Sequence, residues 1–127
     1  MSLSSPLRRI VRALALSAPL VLAIAAGPAR GEAAFLAAVE DLPLMPGLSE
    51  VEGAATVFDA PQGRIVESFA SGAVSAEDVL AFYSQTLPQL GWHASGAREY
   101  RREGEKLILE VTPGATETTV RFTLAPQ

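Results

Sequence analysis

Only one stretch of this chain carries a complete set of helix signals, and it is short. Ser75 is a good N-cap, and Ser75-Ala76-Glu77-Asp78 comes close to a capping box with Asp in the last place. Glu77 and Asp78 fall where the helix dipole favours anions. Val79, Phe82, Tyr83, Leu87 and Leu90 form an apolar stripe at helical spacing. Pro88 cannot donate to the carbonyl of Ser84 and disfavours helical geometry at Leu87. Regular helix is therefore predicted to end near Leu87, tighten, and close on Gly91, with Trp92 starting the return to a sheet. A single helix of this size must bury its stripe against other elements, and the flanking alternation supplies a sheet.

Before the helix, AATVFD (residues 54–59) and RIVESFAS (residues 64–71) flank the turn signal DAPQG, which predicts a hairpin. The second strand has Ile65, Glu67 and Phe69 on one face and Val66, Ser68 and Ala70 on the other. Neither set is cleanly polar, so alternation alone leaves the inward face open. After the helix, KLILEV puts Leu107, Leu109 and Val111 together, and TVRFTL alternates Val120, Phe122 and Leu124 against Thr119, Arg121 and Thr123. Gly104 and Pro113-Gly114 mark the turns. The expectation is an α+β domain in the order ββ-α-βββ, with one main helix on one face of an antiparallel sheet of four to five strands.

The start of the chain reads as a signal peptide over residues 1–31. Arg8, Arg9 and Arg12 precede 14 uncharged residues, Ala13 to Ala26, with no acid before Glu32. A membrane-spanning helix needs about 20 apolar residues, and Pro19 interrupts this run. Ala23/Ala25, Ala29/Gly31 and Gly31/Ala33 all fit a small-residue cleavage site. Ordinary secretion to the periplasm is favoured over twin-arginine export and over an uncleaved inner-membrane anchor from about Ile10 to Gly27. The 127-residue chain has net charge −4 and no cysteine. Removing the leader leaves six bases against all 14 acids. This balance argues against a nucleic-acid partner, and the missing cysteine excludes thiolate metal sites, a thiol nucleophile and a lipid-modified cysteine.

Residues 32–50 form a second segment, ahead of a domain at 51–127. The alanine-rich EAAFLAAVED (residues 32–41) has Phe35, Leu36 and Val39 at helical spacing and predicts a short helix. LPLMPGL follows, in which Leu42, Leu44, Met45 and Leu48 want burial while two prolines and a glycine forbid helix and central strand. It is read either as an apolar strap over the domain or as a docking strip for a partner. The run Arg98 to Lys106 holds seven charges in nine residues, and Arg98, Tyr100, Arg101 and Arg102 form a candidate ligand surface beside the reading of a charge-protected edge.

The segment FYSQTLPQLGW (residues 82–92), with VSAEDV before it and strands after it, resembles small exported bacterial envelope proteins that share an "FY…LP…GW" signature. DLPLMPGL and FDAPQGRIVE resemble an alphaproteobacterial branch of that set. Many members are lipoproteins, a feature that this cysteine-free chain lacks. The resemblance implies a fold rather than an activity, with Ser75, Phe82, Tyr83, Pro88, Gly91 and Trp92 as packing and capping residues.

The chemistry-bearing residues are few. His93 is the only histidine, no metal-ligand spacing is present, and no nucleophile elbow or phosphate loop occurs. No catalytic, metal or cofactor residue is therefore assigned, and no cofactor is expected. The favoured reading is an exported accessory domain that binds an envelope protein. Two others stand beside it: a lipid or small apolar ligand held between helix and sheet by Phe82, Tyr83, Trp92 and Phe122, and a small hydrolase using Glu67 and His93.

Overall fold

The computed structural model describes residues 34–127, and the signal-peptide reading of residues 1–31 lies outside them. The helix forms where its caps place it. Helix α1 (Ala76–Thr86) begins with the Ser75 hydroxyl accepting from the Asp78 amide at 3.0 Å. A 3₁₀ turn follows at Leu87–Leu90, with Pro88 in its first turn. Gly91 closes it in the left-handed region at φ 91°, its amide donating to Pro88 and that of Trp92 to Leu87.

The rest is more strand-rich than alternation suggested. Strand occupies 55% of the described residues, against one helical segment of 15. Two short strands, β1 (Ala34–Leu36) and β2 (Val39–Leu44), pair as a hairpin. The main antiparallel sheet comprises β3 (Ser49–Glu50), β4 (Thr56–Ala60), β5 (Gly63–Gly72), β6 (His93–Gly96), β7 (Glu99–Arg102), β8 (Glu105–Pro113) and β9 (Thr118–Pro126). Its order is β3-β5-β9-β8-β7-β6, and β4 pairs with β5 on the same edge as β3.

The expectation of an α+β domain with four to five strands is thus overturned. A seven-stranded sheet and a separate two-stranded hairpin make the protein mostly β. Three additions account for the difference, the first being the two-residue strand β3 on the edge of the sheet. Within the described part of the helix predicted over residues 32–41, β1 and β2 form instead, because Leu36, Val39, Leu42 and Leu44 are buried there by tertiary contacts that an isolated short helix lacks. The return from the helix also contributes a strand, β6, whose sequence HASG has no apolar alternation and whose residues are all exposed.

One face of the sheet carries the core. Val66 and Ala70 of β5, Val120, Phe122 and Leu124 of β9, Leu107 and Leu109 of β8, and Tyr100 of β7 are buried beneath Val79, Tyr83 and Leu87. Tyr83 packs edge-on to Phe122 with ring centroids 5.6 Å apart. The hairpin and the strap after it complete this side with Leu36, Val39, Leu42, Leu44 and Leu48. The strap crosses the end of β5 so closely that a Cβ on Gly72 would lie 1.9 Å from the carbonyl oxygen of Gly47. Only glycine fits there.

Candidate functional site

The residues first nominated for binding do not form one surface. Leu42, Leu44 and Leu48 are buried and Met45 is half-buried, so LPLMPGL is a strap and not an exposed docking strip. It is fastened at its centre. The Tyr83 hydroxyl donates to the Pro43 carbonyl at 2.8 Å and accepts from the Met45 amide at 3.2 Å. Burial pushes the Tyr83 phenol far above its ordinary pKa, partly offset by the Met45 hydrogen bond.

The basic run also divides. Tyr100 is buried, and burial raises its phenol. The Arg102 guanidinium lies 4.3 Å from the Trp92 ring centroid, pairs with Asp41 at 2.8 Å and donates to the Leu90 carbonyl at 3.0 Å. It joins hairpin, helix end and sheet, a structural task. Arg101 is exposed and pairs with Glu99 at 3.2 Å, and Arg98 is exposed in the turn between β6 and β7. Of the eight nominated residues, only Arg98 and Arg101 remain on the surface as binding groups.

The signature residues are consumed in packing. Ser75 caps α1, Phe82 stacks edge-on to Tyr83 at 4.9 Å, Pro88 and Gly91 shape the turn, and Trp92 is 1% exposed. The indole N–H of Trp92 has no hydrogen-bond partner. Among the described residues no group of three potential metal ligands occurs, and no helix is long and apolar enough to cross a membrane.

What remains is the second face of the sheet. The register puts Val66, Ser68 and Ala70 inward, so Ile65, Glu67 and Phe69 point outward. Phe58 is opposite Ile65, Thr123 is opposite both Glu67 and Ile108, and Arg121 is opposite both Phe69 and Glu110. No described element lies over these side chains. Phe58 is 53% exposed, and Ile65, Phe69 and Ile108 are half-buried by their neighbours in the sheet.

Arg121 is the electrostatic centre of this face. Its Nε donates to Glu67 Oε2 at 2.8 Å, its Nη2 pairs with the same oxygen, and Nη1 lies 3.5 Å from Glu110 Oε1. The guanidinium also sits 6.0 Å from the Phe69 ring centroid. Glu67 is thus a paired carboxylate on an open face. His93 lies on β6, four strand positions from β5 or about 19 Å. The two cannot act on one bond.

The sequence also left a second polar contact unseen. Ser68, fully buried on the core face, donates to Glu50 Oε2 at 3.0 Å, while Glu50 Oε1 accepts from the Ala37 amide at 3.0 Å. Glu50 thereby ties the hairpin turn to β5. Its two partners stand 13 and 18 residues away, a separation that no local pattern records.

No family model matches the chain, and neither curated proteins nor solved structures give a match.

Proposed function

We propose that the protein is an exported envelope domain that binds a protein partner through the open face of its sheet and catalyses no reaction. The observation that carries this reading is the composition of that face. Phe58, Ile65, Phe69 and Ile108 place four large apolar side chains around a closed Arg121–Glu67–Glu110 ion network. A solvated antiparallel face ordinarily alternates to polar residues, so apolar groups here favour a cover.

The leader supports export to the periplasm, as does the resemblance of FYSQTLPQLGW to exported envelope domains. With no cysteine to lipidate, membrane contact is left to an uncleaved leader. The acidic balance speaks against nucleic acid. A lipid or apolar ligand between helix and sheet is disfavoured because Val79, Tyr83, Leu87, Leu109 and Phe122 fill that interface, each at most 2% exposed.

The test compares immobilised wild type, Phe69→Asp and Gln85→Arg in capture from envelope extracts. Gln85 is exposed on α1, away from the open face. A partner retained by wild type and Gln85→Arg and lost with Phe69→Asp is the expected result. Equal retention by all three contradicts the reading. Sequencing of the exported protein should start between Ala26 and Ala34, and an intact Met1 in the membrane fraction would support the anchor instead.

A further inference from the structure

The charges of this protein are sorted by face. Residues 34–127 carry thirteen acids and six bases. Three of each, Glu67, Glu99, Glu110, Arg101, Lys106 and Arg121, alternate onto the open face of the sheet. That leaves ten acids against three bases on the edges and the helix side. The open face is therefore neutral on a protein that is otherwise strongly acidic.

We propose that the occupant of this face is a second copy of the same chain, packed sheet to sheet as a symmetric two-fold dimer. The proposal rests on the docking reading above and names its partner. The edges and the helix side together carry ten acids against three bases, a net negative charge that opposes association of two copies through them. The open face presents no net charge to itself, which suits the self-complementary patch of a two-fold interface.

Its ions are also compatible with burial. Arg121 is paired with Glu67 and Glu110, and Arg101 with Glu99, inside each chain, so closure strands no unpaired charge at the centre. Lys106 lies towards the β7–β8 turn, beside Arg101, where a rim charge stays wet. Phe58, Ile65, Phe69 and Ile108 supply the apolar contacts that sheets in sandwiches bury between their inner faces.

The area is sufficient. The 43 strand residues of the sheet, each about 3.3 Å along the strand and about 4.8 Å across it, cover about 700 Å² before side-chain relief is counted. A standard interface buries about 800 Å² per partner.

Sedimentation equilibrium of the purified protein at micromolar to hundred-micromolar concentrations is the test. Wild type should sediment at twice the chain mass. Phe69→Asp and, independently, Thr123→Lys should each halve that mass while circular dichroism and the thermal midpoint of the monomer show a folded domain, and Gln85→Arg should leave the dimer intact. A wild-type monomer at the highest concentration, or a dimer that persists in both face variants, overturns the proposal. If wild type is monomeric and the face still captures another protein, the dimer falls while the docking reading stands. If neither association depends on the face, both fall.

Discussion

The hydroxyl of Tyr83 and the backbone of Pro43, 40 residues apart in sequence, are joined by a buried 2.8 Å hydrogen bond. With the return bond from the Met45 amide, it fixes the strap to the helix at one point. The consequence is that five of the buried apolar side chains, Leu36, Val39, Leu42, Leu44 and Leu48, reach the core from a two-stranded hairpin and strap that lie outside the main sheet. Tyr83→Phe leaves the ring in place but orphans a carbonyl and an amide. Denaturant unfolding should show a loss of about 1–3 kcal/mol with an unchanged slope.

The same residue sets an alkaline limit. The folded phenol titrates above its unfolded value of about 10, because burial favours the neutral form. Between those two values the unfolded chain binds fewer protons than the native one, so stability falls as pH rises. Below about pH 10 the contribution is fully present. Unfolding free energies measured from pH 8 to 11.5 should decline above about 10, less steeply in Tyr83→Phe. The phenolate absorbance of the native protein should lag that of the unfolded chain.

Gly72 tests the crossing of strap and sheet. A methyl group there meets the Gly47 carbonyl oxygen at 1.9 Å, a backbone atom that cannot swing aside. Gly72→Ala should therefore cost about 1–3 kcal/mol or more by overpacking. A thermal midpoint equal to wild type would mean that the strap is loosely held.

Trp92 and Arg102 form the corresponding joint at the far end. Removing the indole ring in Trp92→Ala should cost about 3–5 kcal/mol. Trp92→Phe should cost less, since it keeps an aromatic ring and discards a buried N–H that has no partner. Arg102→Ala removes the stacked guanidinium and its bonds to Asp41 and Leu90, and the fluorescence of the only tryptophan reports it directly.

The parts of the fold that could be read in advance are those governed by local rules. The Ser75 cap, the stop at Pro88 and Gly91, the hairpin of β4 and β5 and the alternation of β9 each depend on neighbours within a few residues. The failures lie where distant contacts override local preference. Residues 32–41 show helical spacing, yet Leu36 and Val39 are drawn into a hairpin under the strap. The two strands β3 and β6 are too short or too polar to signal themselves. The candidate surface was illegible for a related reason. Ile65, Glu67 and Phe69 differ little from Val66, Ser68 and Ala70 by alternation, and only the pairing with β9 fixes which set is outward. The nominated Leu42, Leu44, Leu48, Tyr100 and Arg102 were apolar or basic enough to bind something, and they do, within the chain.

The open face of the sheet is where we propose that this protein meets another. Thr123 lies at its centre, opposite Glu67 on one side and Ile108 on the other. A photo-crosslinking amino acid placed at position 123 in the full chain, expressed in its own cells, samples that face directly, with position 85 on α1 as the comparison. The expected result is an intermolecular product from position 123 and none from position 85, with its mass telling a second copy from a different protein. Products from position 85 alone, or from neither position, would contradict the account.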